Sequence, residues 1–149
     1  MAAREERTVT GEQIRLVRVT WLEVAQIADA AARLFYERLF ETDPEVRQLF
    51  AHSDMDQQRV KLLRTLTVAV GALDKLETIR PALENLGRRH VGYGVEDRHY
   101  ELVGAALLWT LEQGLGDGYT AAVREAWTAA YTTLAAIMRE AAATVERAA

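Results

Sequence analysis

The sequence predicts an all-α domain, and three observations carry that prediction. Apolar residues recur at three- and four-residue spacings from Thr10 onward, and no segment shows a convincing strand alternation. The interruptions carry helix punctuation: Asp43-Pro44, Pro81, Gly92 with Gly94, and the run Gly114–Gly118. The chain has 149 residues, 50% hydrophobic and 27% charged, with only nine glycines and two prolines. That composition suits one domain, 1–149, with a core of its own, and excludes a disordered or low-complexity chain.

Residues 1–9 are charge-rich and are read as an extended or disordered N-terminus. Thr10-Gly11-Glu12-Gln13 is a capping box, in which the threonine oxygen takes a backbone N–H and Gln13 reaches back. The helix it opens carries Ile14, Val17, Trp21, Val24 and Ala28 on one stripe. A second stripe, Ala32, Phe35, Tyr36, Leu39 and Phe40, follows. The pattern leaves open whether one long helix or two cover residues 11–41. Asp43 is an N-cap with Pro44 at the first helical position, opening a short helix to Phe50.

Ala51–Gln57 is polar and reads as a loop. Helical spacing resumes from about Gln58 to Leu76, with apolar residues on two sides, which predicts a helix buried between layers. Pro81 begins a short helix with Leu83, Leu86 and His90 on one face. Gly92 and Gly94 end it. Asp97 is placed as the cap of a helix through Tyr100, Val103, Leu107 and Leu111. Thr120 caps the last helix, with Val123, Trp127, Tyr131, Leu134 and Met138 on its inner side. Six to eight helices result.

Several function classes are excluded early. There is no cysteine, hence no disulfide, thiolate nucleophile or cysteine-bound metal. The formal charge of −4 gives no basic patch for nucleic acid. No apolar run approaches the ~18 residues of a membrane span, and the charged start lacks the apolar stretch of a signal peptide, so a cytoplasmic location is expected. Phosphate loops, dinucleotide turns and zinc-binding His-Glu-x-x-His motifs are absent. With only His52, His90 and His99, a multi-histidine metal site is not expected.

His90 stands out, because it shares the apolar face of its helix with Leu86 while Arg88 and Arg89 point elsewhere. A neutral imidazole in apolar surroundings is what a haem iron takes as its protein ligand. A buried histidine bonded to a neighbour is the plainer alternative. Tyr36 and Gln58 also fall on inward faces of two different helices, beside Phe35, Phe50 and Leu62. Burying either without a partner costs ~1–3 kcal/mol, whereas a ligand with partial negative charge would satisfy both. The alternative leaves the phenol at the surface and the amide in water.

The order of these residues resembles the globin family, most closely single-domain bacterial haemoglobins and the haem domain of flavohaemoglobins. The similar segments are Leu34–Phe40 (LFYERLF), Asp43–Phe50 (DPEVRQLF), Gly87–Val95 (GRRHVGYGV), His99–Gly104 (HYELVG) and Ala126–Tyr131 (AWTAAY). The resemblance spans about residues 11–140 and implies a globin fold around a pocket for haem b. By it, His90 is the proximal iron ligand, Tyr36 and Gln58 are the distal hydrogen-bonding pair, and Leu62 lies over the distal side. Phe50, Leu86 and Val95 line the pocket, with Tyr100 and Tyr131 near it. Lys61 is the first candidate partner for a haem propionate, with Arg89 and Tyr93 behind it.

The implied function is reversible binding of dioxygen, for storage or transport, with slow release through the Tyr36–Gln58 pair; nitric oxide and carbon monoxide are further ligands. The alternative is nitric oxide dioxygenation with electrons from a separate reductase, since 149 residues leave no room for the one that flavohaemoglobins append. A haem-free helical interaction module is the third reading. One departure bears on the choice. The resemblance implies a proximal relay through Tyr100 to a glutamate eleven residues after Tyr131, and Ala142 stands there. Glu140, two positions off, is expected to face the other way. An incomplete relay favours plain oxygen binding.

Overall fold

Thr10 opens the first helix as the sequence predicts. Its Oγ1 accepts from the Gln13 backbone at 3.1 Å, and Gln13 Oε1 accepts from the Thr10 backbone at 3.0 Å. The computed structural model describes residues 9–148. Of the N-terminal segment only Val9 is described, with its side chain buried; the expectation for residues 1–8 lies outside the described residues. Six α-helices follow: α1 (Gly11–Ala25), α2 (Ala28–Thr42), α3 (Met55–Gly71), α4 (Arg80–Gly92), α5 (Asp97–Leu115) and α6 (Ala121–Ala148). Three 3-10 segments lie at Pro44–Phe50, Leu76–Thr78 and Gly116–Gly118.

The stretch 11–41 is two helices. They break at Gln26–Ile27, where Ile27 donates to Val24 O at 2.9 Å in a tightened turn and leaves helical geometry at ψ 35°. No glycine or proline marks this break. Asp43 caps the Pro44–Phe50 segment by accepting from the Glu45 N–H at 3.0 Å. Thr120 Oγ1 caps α6 by accepting from Val123 at 3.2 Å.

Four expectations are corrected. Residues 55–57 are helical rather than looped, because Asp54 Oδ1 accepts from the backbones of Asp56 and Gln57 and starts α3 a turn early. The helix also ends at Gly71, short of Leu76. Asp97 does not cap α5; Glu96 holds that position, its N–H donating to His99 Nδ1 at 2.8 Å, while Asp97 takes two 2.7 Å hydrogen bonds from Arg139 of α6. Finally, α3 is not buried between layers. Only Ala69 and Val70 of it are buried, Leu62, Leu63 and Leu66 are half-buried, and Val60 and Val68 face solvent.

The core sits where α1 and α4 pack on α6 and α2 packs on α5. Trp21 and Trp127 mark the α1–α6 contact, their rings 6.0 Å apart. Both indoles spend their N–H on threonines, Trp127 on Thr20 at 2.9 Å and Trp21 on Thr67 at 3.2 Å, so neither leaves a buried donor unpaired. Helix α3 packs on α1 and α2, and α4 on α6, whereas α3 and α4 share no extensive contact. Among the described residues no helix is long and apolar enough to cross a membrane.

Candidate functional site

Of the residues singled out above, Tyr36, Gln58 and His90 lie on α2, α3 and α4. His90 stands in the last turn of α4. Its Nδ1 lies 2.7 Å from the carbonyl of Leu86, one turn back. A carbonyl can only accept, so Nδ1 carries the proton and Nε2 keeps its lone pair. Nε2 has no hydrogen-bond partner among the described residues. Burial holds the imidazole pKa below the usual histidine range, the Leu86 carbonyl works against that, and the Arg89 cation adds to the depression. The ring is therefore neutral at neutral pH, with an unshared pair available to a metal.

A depressed histidine pKa has a stability consequence of known sign. The unfolded chain binds the proton more readily, so the contribution is complete above the unfolded pKa of about 6.5 and is lost as pH falls toward the folded value. The haem-free protein should lose stability as pH falls below about 6.5, and His90→Phe should flatten that slope. Urea unfolding of both proteins across the range checks it; equal slopes would remove His90 as the cause.

The chain then reverses around the histidine. Val95 donates its N–H to the His90 carbonyl at 3.0 Å, which places Val95 near the end of α4. Gly94 makes the turn at φ 91°, where a side chain would be strained, and a Cβ there would press on Leu49 at 3.2 Å. Tyr93 is exposed, its ring 5.9 Å from the His90 ring.

On the α2–α3 side, Tyr36 is buried in an aromatic nest: Phe35 at 4.9 Å and Phe50 at 5.6 Å meet it edge-on, with Phe40 at 6.0 Å. Burial pushes its phenol up, while hydrogen bonding with the Gln58 side chain and the charge of Arg59 pull it back. The phenol stays protonated and can donate. Gln58, in the first turn of α3, is half-buried, as are Leu62 and Phe50. The structure thus brings Tyr36, Gln58 and Phe50 together. Lys61 is exposed on α3 and makes no ion pair among the described residues.

The proximal relay lacks its carboxylate at the expected position. Ala142 is buried there and Glu140 is exposed. The face of the Tyr100 ring instead carries the Arg139 guanidinium at 5.6 Å, and Tyr131 donates its hydroxyl to the Tyr100 carbonyl at 2.6 Å. Burial pushes the Tyr131 phenol far above its usual range.

Two residues were missed by the sequence reading. Arg59 directly follows Gln58, and its side chain is only 13% exposed. Gly87 lies at the crossing of α4 and α6, where a Cβ would lie against the Met138 backbone, 2.8 Å from its Cα. A glycine inside a helical pattern, three residues before the histidine, was a usable signal of close packing. The arginine gave none, since a charged residue on a surface helix normally reads as solvated.

This arrangement suits a flat apolar group with a metal at its centre. Phe50, Leu62, Leu66, Leu86 and Val95 remain half-buried although they are apolar. The polar groups amount to one neutral nitrogen lone pair on α4 and hydrogen-bond donors on α2 and α3. No cluster of three or more histidine, aspartate or glutamate side chains that could hold a bare ion occurs among the described residues.

Comparison with known proteins gives the same picture. The model of the Globin family matches residues 33–138. A flavohemoprotein of Vibrio cholerae is 32% identical over 143 residues, covering 93% of this chain; the chain spans only 36% of that relative's length. Among solved structures, a bacterial globin of Campylobacter jejuni superposes with a TM-score of 0.82 at 25% identity, covering 93% of this chain and 99% of that one. An engineered carbene transferase, made from a candidate nitric oxide dioxygenase of Rhodothermus marinus, superposes at 0.85 with 27% identity over 95% and 98% of the two chains.

Proposed function

The chain belongs to the globin family, and from that premise we propose that it holds haem through His90 and binds dioxygen reversibly. The observation that carries the reading is the histidine itself: Nδ1–H is committed to the Leu86 carbonyl, so Nε2 is fixed in its tautomer and free. The haem supplies an iron at which a diatomic gas can bind. The chain supplies the rest. Phe50, Leu62, Leu86 and Val95 provide apolar walls that keep water out. Tyr36 Oη and Gln58 Nε2 are positioned as donors to a ligand carrying partial negative charge. Lys61 and Tyr93, both exposed, are suited to the propionates at the solvent edge. With no cysteine in the chain there is no thioether attachment, which supports haem b held by His90 and packing alone.

The second reading is nitric oxide dioxygenation with electrons from a separate reductase. The likeness to the Rhodothermus structure, made from a candidate nitric oxide dioxygenase, favours it. The proximal side weighs against it as the principal role. A carbonyl acceptor leaves the imidazole neutral in character, whereas a carboxylate would push electron density toward the iron; Ala142 stands where that relay would need its acid.

The test is an absorption spectrum of the protein loaded with haem, taken ferric, reduced with dithionite, and then oxygenated. A Soret band with a stable oxygenated spectrum, lost or weakened in His90→Ala, is the expected result. No haem uptake at a stoichiometric ratio would overturn it. Rapid oxidation of the oxygenated protein by nitric oxide, sustained by an added reductase, would move the weight to the second reading.

A further inference from the structure

Arg59 is a cation turned inward. Its side chain is 13% exposed, while the carboxylates nearest it, Asp29 at the start of α2 and Asp56 at the start of α3, are 73% and 85% exposed. One guanidinium nitrogen, Nη2, pairs with Asp56. The other end is less well served: Nε is 3.8 Å from Asp29 Oδ1, too far for a hydrogen bond, and it is buried with no partner. Asp29 meanwhile takes a 3.0 Å bond from Arg33.

The asymmetry matters more than the pairing. Charges in water are screened, whereas a charge within the protein acts through a lower dielectric. Two solvated carboxylates therefore cancel a buried guanidinium only in part as seen from inside. A charge-neutral pair on paper becomes a positive potential facing inward. The direction of that field is registered at Tyr36, whose phenol is drawn down by Arg59 against the effect of burial. The pairing of Arg59 with Asp29 across α3 and α2 is long, at 3.8 Å, and burying a cation is costly.

We propose that Arg59 makes the ligand side of the pocket electropositive and so sets a preference for small monovalent anions, of the size of azide or nitrite, when the iron is ferric. Neutral gases gain little from that field. Arg59 acts through its charge, beside the hydrogen bonds of Tyr36 and Gln58, and is not itself a ligand-contacting residue. The inference rests on the haem reading above.

Azide provides the charged probe and carbon monoxide the neutral one, each titrated against the haem-loaded protein and followed at the Soret band, ferric for azide and ferrous for carbon monoxide. Arg59→Met should weaken azide binding about tenfold, about 1.4 kcal/mol, and change carbon monoxide binding less than about twofold. Arg59→Lys should retain most of the azide affinity. Asp56→Asn, at a carboxylate 85% exposed, carries the opposite sign and should tighten azide by about two- to threefold; it decides the matter if Arg59→Met fails to fold. Loss of both ligands together in Arg59→Met would overturn the proposal, because it would mark Arg59 as a clamp between α2 and α3. Unchanged azide affinity in Arg59→Met or in Asp56→Asn, with a normal Soret band, would overturn the proposal alone. A protein that takes up no haem would overturn the haem reading and this inference with it.

Discussion

Gly87→Ala should lower stability by about 2 kcal/mol or more, a loss of roughly 4–8 °C in Tm for a chain of this size. Ordinarily the change is favourable, since alanine in a helix interior is worth about 1 kcal/mol over glycine. Here the added methyl meets the backbone of Met138, 2.8 Å from its Cα. Backbone cannot rotate away, so α4 and α6 must separate. The α4–α6 crossing is one of the main contacts of the core, and His90 lies less than one turn beyond it. The substitution should therefore also displace the histidine and weaken haem retention. Gly92→Ala, in the same helix and with nothing within 4 Å of its Cβ, is the control and should be neutral or slightly stabilising. Thermal unfolding of the two variants, with and without haem, measures the difference. Equal Tm values would mean that α4 can shift on α6 at no cost.

The second large effect is expected at Tyr36. Tyr36→Phe should speed oxygen release at least about tenfold in the haem-loaded protein, because a hydrogen bond to a charged group is worth ~1.5–3 kcal/mol. The aromatic nest of Phe35, Phe40 and Phe50 stays intact in the variant, so the pocket keeps its shape. Gln58→Leu alone should do less, and the two changes together should not add, since the side chains interact with each other. Stopped-flow displacement of oxygen by carbon monoxide gives all three rates. A release rate unchanged in Tyr36→Phe would remove the phenol as a donor and leave Gln58 to be tested for that role.

The sequence made the helix ends legible wherever a side chain does the capping. Thr10 with Gln13, Asp43 with Pro44, and Thr120 are local devices whose residues and spacing are visible in one dimension. The break at Gln26–Ile27 was not, because it has neither glycine nor proline and separates two helices that pack on different partners, α1 on α6 and α2 on α5. The choice between Glu96 and Asp97 as cap turned on Arg139, forty-two residues away, which claims Asp97 for itself. The site divides in the same manner. His90, Tyr36 and Gln58 show as polar residues on apolar stripes, and their order showed the family resemblance. The two-sided apolar pattern of α3 was read as burial between protein layers, yet only Ala69 and Val70 are buried there and Val60 and Val68 face solvent. Arg59 and Gly87 stayed hidden, since each takes its meaning from a partner on another helix.

The lack of an extensive contact between α3 and α4 would link this protein's survival in the cell to its supply of haem. Without haem, Leu62, Leu66, Leu86 and Val95 lack the neighbour their half-burial calls for, and α3, which packs only lightly on α1 and α2, is the less supported of the two helices, since α4 is held on α6. A group that binds the folded chain and not the unfolded one adds stability in proportion to the logarithm of its concentration. Chains made faster than haem arrives would open first at α3 and be cleared by proteases, so the standing amount of protein would follow the haem pool without any change in transcription.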